Sequence, residues 1–371
     1  MSESLISQPG RKRRPRVVQV INDLGRGGAE TLLVGLLPDL MRHFDVLLVT
    51  LRGSSEFSDE ELAGVPREIL GFDRVRKLPG AALALRRLLK KFQPDLVVSH
   101  LYWSTILARL ATPKSVPFIS NLHMPMSMGA FTPDFTGKVL KILERATYSR
   151  REAVIGVSHD VLKDYDSIIG LKGSSYVLHN YVNDAFFNIR SNTTFGVGKQ
   201  LRLVAVGNPR PQKNYELLIE AFSLLQSGAA NCDIYGDSPF RKTLEARVAE
   251  LHLPIIFKGK AAHMSRRLPD YDAYIMCSKY EGFGIAAAEA MAAGLPLLLS
   301  DLDVLREVSG GNAVFFNPGD PADLAQKICE FREGKYPARD LSERGRKLAQ
   351  EQYSREVYLE KLLRIYMENL S

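Results

Sequence analysis

Residues 273–299 read AYIMCSKYEGFGIAAAEAMAAGLPLLL, and this stretch decides the fold. It begins with a short apolar strand, 274–277, and ends with a second one, 295–299. Between them, two glycines lead into an alanine-rich run, which strongly favours a helix. Two strands that are connected by a helix pair in parallel, so the stretch predicts a βαβ unit.

Strands and helices alternate in the same way through both halves of the chain. The predicted strands are 16–21, 44–51, 95–99, 118–121 and 153–157 in the first half, and 201–206, 231–235, 255–257, 273–276 and 295–299 in the second. The predicted helices include 31–40, 81–92, 215–225, 239–251 and 355–370. A polar segment, 190–200, separates the halves and is the best linker candidate. We therefore predict an α/β chain with two Rossmann-like, doubly wound parallel-sheet domains, whose facing carboxyl edges form a cleft.

Composition limits the class of protein. The chain has 371 residues, of which 45% are hydrophobic, enough for two cores. The three cysteines form no CxxC pair, and no apolar run approaches the roughly 20 residues that cross a bilayer, so we expect a reduced, cytoplasmic protein without a structural metal. The net charge of +7 is compatible with several anionic partners. The basic run 11–14 is interpreted as part of a flexible leader, 1–15, in preference to a nucleic-acid arm.

The strongest local signal is EGFGIAAAE, residues 281–289. Its glycines let the backbone approach a ligand closely, and the helix that follows offers free N–H groups and a positive dipole end to an anion. Glu289 lies about one and a half turns into that helix, where its carboxylate can accept hydrogen bonds from sugar hydroxyls, and Glu281 lies in the loop before it. The alternative is an ordinary strand-loop-helix with two solvated glutamates.

One further loop of interest follows the first strand of each half. Residues 206–214 read VGNPRPQKN and place Arg210 and Lys213 at a carboxyl-edge loop, where two cations suit a diphosphate; the alternative is a pair of surface cations. Residues 25–30 read GRGGAE and combine flexible backbone with a helix start. This glycine cluster is a weak signal, since it lacks the GxGxxG spacing of a dinucleotide site.

Taken together, these motifs resemble glycosyltransferase family 4, the retaining GT-B glycosyltransferases of group 1. The resemblance covers most of the chain and includes the Glu-x7-Glu spacing of Glu281 and Glu289. Its other elements are Gly27-Gly28-Ala29-Glu30, Val98-Ser99-His100, His123, Gly156-Val157-Ser158, Val177-Leu178-His179-Asn180, Arg210, Lys213-Asn214 and Ile234-Tyr235-Gly236. It implies a GT-B fold with an acceptor-side domain at 16–190, a nucleotide-sugar domain at 191–353, and a terminal helix at 354–371 that packs back on the first domain.

The resemblance also implies roles for individual residues. Arg210 and Lys213 would grip the diphosphate, Glu281 and His123 would contact the donor sugar, and Glu289 would hold the ribose. The backbone of Phe283, Gly284 and Ile285 would offer N–H groups to sugar and phosphate, and Gly27 and Gly28 would close over the diphosphate. Gly207 belongs to the same predicted donor site, and the nucleobase would lie near Phe257 and Lys258. No metal and no cofactor are expected beside the donor, for which a UDP-sugar is the first choice.

The implied reaction is transfer of a sugar, with retained configuration, to a saccharide or lipid-linked saccharide in polysaccharide or glycolipid synthesis. A sugar-nucleotide epimerase of the same fold and a non-catalytic nucleotide-sugar-binding subunit remain the alternatives, with nucleic-acid binding a remote third. Basic amphipathic stretches at 85–92 and 135–145 could rest on anionic lipid, which would make the protein peripheral to the membrane. The alternative is a core-facing apolar stripe with a solvated back, which is preferred for the first stretch. Three Asp-x-Asp triplets, at 164–166, 270–272 and 301–303, are interpreted as solvated faces and caps.

Overall fold

The computed structural model describes residues 13–129, 135–189 and 198–370. Contacts between these residues divide the chain into two compact units. The described residues up to Asn180 and from Tyr358 onward form the first unit, and Tyr181–Val357 form the second. Residues 1–12 of the predicted leader and residues 190–197 of the predicted linker lie outside the described residues, so the domain boundary expected there stays a prediction.

The first unit contains a sheet of seven parallel strands. They are β1 (Arg16–Ile21), β2 (Asp45–Thr50), β3 (Arg67–Ile69), β4 (Leu96–His100), β5 (Phe118–Leu122), β6 (Glu152–Gly156) and β7 (Ser175–Val177). Their order across the sheet is β3-β2-β1-β4-β5-β6-β7. The helices before the second unit are α1 (Gly28–His43), α2 (Leu78–Phe92), α3 (Tyr102–Ala111), α4 (Met126–Gly129), α5 (Phe135–Thr147) and α6 (His159–Ile168).

The second unit repeats this architecture with six parallel strands. They are β8 (Leu201–Val206), β9 (Ala230–Tyr235), β10 (Ile255–Gly259), β11 (Ala273–Met276), β12 (Leu297–Ser300) and β13 (Val314–Phe316), in the order β10-β9-β8-β11-β12-β13. Its helices are α7 (Asp184–Phe187), α8 (Tyr215–Ser223), α9 (Arg241–Glu250), α10 (Ile285–Ala292), α11 (Asp303–Ser309), α12 (Pro321–Arg332) and α13 (Ala338–Tyr353). The last helix of the chain is α14 (Arg355–Leu370).

The central strands of both sheets are buried on their two faces, which explains the apolar runs in the sequence. The central strand β1 is fully buried from its second residue onward, and β12 is buried throughout. Parallel strands covered by helices on both sides read as continuous hydrophobic runs rather than as an alternating pattern. The predicted fold class is therefore confirmed.

The helix α14 contributes to the core of the first unit. Tyr366 is 1% exposed, and its ring lies 5.9 Å from that of Phe44, which follows α1. The Tyr366 hydroxyl also accepts a hydrogen bond of 3.0 Å from the side chain of Gln19 on β1. The end of the chain thus supplies a buried side chain to the middle of the first sheet.

In each sheet, the strand order reverses direction between two neighbouring strands. The chain proceeds from β1 to β2 and β3 on one side and then returns to place β4 against the other side of β1. The second unit does the same between β8 and β11. At such a point, α/β sheets bind ligands in a crevice outside the carboxyl ends of the strands.

Candidate functional site

The loops that follow β8 and β11 are joined to each other at the reversal point of the second sheet. The backbone N–H of Lys279 donates to the carbonyl of Gln212 at 2.8 Å, and the Gln212 side-chain amide donates to the carbonyl of Tyr280 at 2.9 Å. These reciprocal bonds fix the two loops side by side. They therefore hold together the two strongest motifs of the second half, although these are separated by about seventy residues of chain.

At the centre of these loops, Lys213 and Glu281 form an ion pair. The Lys213 Nζ lies 2.7 Å from Glu281 Oε1, and the side chains are 19% and 9% exposed, so the pair is largely shielded from water. The hydroxyl of Ser278 donates to the same carboxylate oxygen at 2.6 Å. A carboxylate that accepts from an ammonium group and a hydroxyl is well oriented, and it in turn holds the ammonium at the mouth of the crevice.

Gly207, which follows β8, provides the space in which the Lys213 side chain lies. Its φ is +154°, and a Cβ built on it would stand 2.9 Å from Lys213 Cε and 3.4 Å from the hydroxyl of Tyr215. That hydroxyl donates to the Gly207 carbonyl at 3.0 Å and fixes the loop. A glycine is required here both by the backbone conformation and by the close approach of the lysine stem.

We expect the substitution Gly207→Ala to displace Lys213 and to impose backbone strain of about 1–3 kcal/mol. The melting temperature should fall by several degrees, and affinity for a diphosphate ligand should fall about tenfold because the ammonium is no longer in place. Gly228→Ala is the matched control: Gly228 has φ +78° and no atom within 4 Å of an added Cβ. If both variants lose stability alike and neither loses ligand affinity, Gly207 does not position Lys213.

The start of α10 offers backbone donors close to this ion pair. Gly284 is the residue before the helix, with a left-handed φ of +84°, and its carbonyl accepts from Ala287 and Ala288. Within the described residues, the N–H groups of Gly284 and Ile285 have no hydrogen-bond acceptor. Phe283 does not face solvent: it is 3% exposed and packs edge-on against Tyr353, with ring centroids 5.3 Å apart. The free N–H groups and the dipole of α10 favour an anion at this end.

Glu289 lies one turn further along α10 and is half-buried. Burial raises the pKa of its carboxyl from the ordinary value of 4.5 to about 8. The part of the chain that the structure describes provides no hydrogen-bond or ion-pair partner for this side chain. A carboxyl that is desolvated and unpaired inside a ligand-binding edge is a common sign of a functional group.

The structure does not bring all predicted residues of the second unit to this cluster. Arg210 is exposed, and its guanidinium has no partner among the described residues, although its carbonyl accepts from the N–H of Lys213 at 2.9 Å. The ring of Phe257 is only 6% exposed and belongs to the hydrophobic core, and the expectation that a nucleobase lies near Phe257 and Lys258 stays a prediction. Lys258 pairs instead with Asp233 at 3.3 Å.

In the first unit, Gly27 and Gly28 stand at the start of α1. Gly27 is the residue before the helix, and its carbonyl accepts from the N–H of Thr31 at 3.0 Å. A Cβ at Gly27 would collide with the carboxylate of Glu30, so the glycine is needed for this side chain to fold back over the turn. Burial raises the pKa of Glu30.

The second cluster of the first unit contains two histidines at the ends of β4 and β5. His100 Nδ1 lies 3.2 Å from His123 Nε2, and His100 Nε2 lies 2.9 Å from Gln19 Oε1. Burial lowers the pKa of both imidazoles, that of His123 to about 4. Both rings are therefore neutral near pH 7.

The Asp-x-Asp triplets have structural partners. Asp164 accepts from two backbone N–H groups at the start of α4, at 2.6 and 3.1 Å. Asp272 pairs with Arg202, and Asp301 with Arg306.

The sequence reasoning missed several residues that build these clusters. Ser278, Tyr215, Gln19 and Tyr366 carry no motif of their own. The one available signal was Gln19, a polar residue inside the otherwise apolar strand RVVQVI. A polar side chain in a fully buried strand requires a hydrogen-bond partner and so marks an internal network.

Comparison with known proteins assigns the chain to a family. Residues 26–186 match the model of Glycosyltransferase Family 4, and residues 191–348 match that of Glycosyl transferases group 1. The chain belongs to the family 4, group 1 glycosyltransferases. The resemblance inferred from the motifs is therefore confirmed, and the two matches cover both units of this glycosyltransferase.

Among curated relatives, the glycosyltransferase is similar to the N-acetyl-alpha-D-glucosaminyl L-malate synthase of Bacillus anthracis, with 23% identity over 62% of this chain and 63% of that enzyme. This match thus spans somewhat less than two thirds of the relative. A longer match, 24% identical over 76% of this chain and 79% of the relative, is to the N-acetylgalactosamine-N,N'-diacetylbacillosaminyl-diphospho-undecaprenol 4-alpha-N-acetylgalactosaminyltransferase of Campylobacter jejuni.

Among solved structures, the glycosyltransferase is similar to HepE of Anabaena in complex with UDP and glucose. The TM-score is 0.80 at 18% identity, and the alignment covers 96% of this chain and all of HepE. At this identity the likeness shows the fold alone, which is GT-B.

Proposed function

We propose that this chain transfers a glycosyl group from a nucleoside-diphosphate sugar to an acceptor hydroxyl. The observation that carries the proposal is the position of Lys213, which is paired with Glu281, four residues before the first residue of α10. An ammonium group and free helix N–H groups at one sheet edge suit a diphosphate. Arg210, in the same loop and without a partner among the described residues, is the second cation of this proposed site.

The proposed chemistry uses the same groups. As the bond between the sugar and the diphosphate breaks, negative charge grows on the leaving diphosphate, and Lys213, Arg210 and the N–H groups of Gly284 and Ile285 stabilise it. The acceptor hydroxyl attacks from the face that the diphosphate leaves, which retains the configuration, and a diphosphate oxygen takes its proton. This route requires no side-chain nucleophile and no metal.

The other proposed contacts concern the donor. Glu281 accepts from hydroxyls of the transferred sugar, and Glu289 from hydroxyls of the ribose. Gly27, Gly28 and His123 are assigned to the same donor, and the nucleobase to the backbone near Lys258. UDP is the proposed nucleotide, a choice supported by the presence of UDP in the HepE complex.

We further propose a saccharide or lipid-linked saccharide as the acceptor, in polysaccharide or glycolipid synthesis. The undecaprenol-linked saccharide in the name of the Campylobacter jejuni relative supports this class. No helix among the described residues is long and apolar enough to cross a membrane. On α5, however, Ile142 is 66% exposed beside exposed Lys138 and Arg145, a pattern that suits contact with anionic lipid. The basic face of α2 supports this less, since its Leu85 and Leu89 are buried in the core.

Thermal-shift titration with UDP, GDP and ADP tests the donor proposal. A nucleotide that binds only the folded chain raises the melting temperature, and we expect UDP to raise it most. If a different nucleotide gives the largest shift, the diphosphate site stands and the choice of base is wrong. If none of the three shifts the transition at millimolar concentration, the donor proposal fails.

Turnover then separates the two catalytic possibilities. A transferase releases nucleotide from the preferred donor faster when an acceptor saccharide is added, whereas an epimerase converts the donor with no acceptor. We expect release that depends on the acceptor. Conversion of the donor at an unchanged rate without acceptor would favour the epimerase.

A further inference from the structure

A chain of buried side chains leads from the carboxyl-terminal helix to His123. Tyr366 on α14 is followed by Gln19 on β1, then by His100 at the end of β4, and then by His123 just after β5. The three contacts measure 3.0, 2.9 and 3.2 Å. Gln19, His100 and Tyr366 are at most 5% exposed, so within the first unit water does not compete for these bonds.

The amide of Gln19 determines where the protons of the two histidines lie. Its nitrogen donates to the Tyr366 hydroxyl, so its oxygen faces His100 and accepts from His100 Nε2–H. A neutral imidazole has one N–H, so His100 Nδ1 is an acceptor. It can be satisfied only by the N–H on Nε2 of His123.

One atom of His123 is left without a partner by this arrangement. Its Nδ1 is buried and has no hydrogen-bond partner among the described residues. With the proton on Nε2, Nδ1 carries a lone pair rather than an N–H. A buried polar atom without a partner requires an explanation, such as a ligand group that completes it.

We propose that Tyr366, Gln19 and His100 are positioning residues that hold His123 in its Nε2-protonated tautomer, so that Nδ1 accepts a hydrogen bond from a hydroxyl of the donor sugar. The ligand half of this statement rests on the proposed function, whereas the tautomer half does not. The low pKa of His123 agrees with it, because a neutral ring is needed for an acceptor nitrogen. The carboxyl-terminal helix thereby acts on the site through three hydrogen bonds.

Long-range ¹H–¹⁵N correlation spectra of protein labelled with ¹⁵N-histidine measure the tautomer directly, and His123→Gln identifies the signals of His123. We expect wild-type His123 to carry its proton on Nε2 alone. Gln19→Leu removes the acceptor for His100, so both histidines should then show mixed tautomers. Tyr366→Phe, which removes only the anchoring hydroxyl, should give a partial mixture and serves if Gln19→Leu fails to fold.

Tyr148→Phe is the matched control. Tyr148 is a buried tyrosine of the same unit, and its hydroxyl accepts from the backbone N–H of Lys172 rather than from the histidine chain. It should leave the His123 tautomer unchanged. A proton on Nδ1 of wild-type His123, or a tautomer that stays pure in both Gln19→Leu and Tyr366→Phe, would overturn the proposal.

A binding measurement tests the ligand half separately. The ratio of affinities for UDP-glucose and UDP isolates the contribution of the sugar, and we expect Gln19→Leu to lower this ratio about three- to tenfold while the affinity for UDP itself is unchanged. An unchanged ratio would overturn the role of Nδ1 toward the sugar. If wild-type protein binds neither compound, the donor proposal fails, while the spectra still decide the tautomer.

Discussion

Replacing Lys213 with methionine is expected to lower kcat about 100- to 1,000-fold, the usual cost of removing one group that stabilises charge in a transition state. The ammonium is held at the sheet edge by Glu281 at 2.7 Å and is the best-placed cation for a departing diphosphate. Methionine keeps the unbranched apolar stem that lies over Gly207 and removes only the charge. Steady-state kinetics with saturating donor measure the effect.

The same substitution leaves Glu281 buried without its cation, which is expected to destabilise the second unit by about 1–3 kcal/mol. The double substitution Lys213→Met with Glu281→Gln removes both charges and should recover most of that stability, because Ser278 can still donate to the amide oxygen. Activity should not recover. If the double variant regains both stability and turnover, Lys213 acts only through folding and its assignment to the leaving group is wrong.

Glu289→Gln is expected to lower kcat/KM about 10- to 100-fold, since the carboxyl is assigned to hydroxyls of the ribose and one or two hydrogen bonds are lost or weakened. Most of the effect should appear as weaker donor binding, because the ribose does not react. Kinetics at several donor concentrations separate KM from kcat. Full activity in this variant would exclude Glu289 from the donor site.

The same variant should be more stable than the wild type at alkaline pH. The pKa of Glu289 is raised from 4.5 to about 8 in the folded chain, so between these values the folded state keeps a proton that the unfolded state releases. The stability associated with this group is complete below pH 4.5, falls as the pH rises, and levels off above about 8. Glu289→Gln removes this dependence.

Melting temperatures of both proteins from pH 5 to 9 test the sign of this effect, with Glu343→Gln as a control at an exposed position on α13. We expect the wild type to lose stability relative to Glu289→Gln across this range, while Glu343→Gln follows the wild type. Parallel curves for wild type and Glu289→Gln would contradict a raised pKa of the Glu289 carboxyl in the folded chain.

Much of the fold follows from hydrophobic runs alone. Strands β1 and β8 have the predicted bounds, because they are central strands that consist mostly of buried apolar residues. The strands that the sequence did not reveal are β3, β7 and β13, each three residues long and each at the edge of its sheet. Each of these strands has only one neighbour and is too short to leave a hydrophobic run that a sequence pattern can reveal.

Less of the site than of the fold could be predicted from the sequence. The residue types of Lys213 and Glu281 indicated a ligand site, but the contact between them arises because β8 and β11 are neighbours in the sheet, and the sequence pattern does not give the strand order. The burial of the Phe257 ring has no sequence signal, because an aromatic residue near a strand end gives the same pattern whether its ring lines a pocket or fills the core. The chain from Tyr366 to His123 joins residues about 240 positions apart and has no local pattern.

Calorimetric titration tests most directly whether the diphosphate binds beside Lys213. The nucleoside diphosphate selected by the thermal screen and its unphosphorylated nucleoside are titrated into wild type and into the Lys213→Met, Glu281→Gln double variant. The wild type should bind the diphosphate at least about 100-fold more tightly than the nucleoside, and the double variant should lose most of that preference while binding the nucleoside equally well. An equal preference in both proteins would contradict a diphosphate site at Lys213.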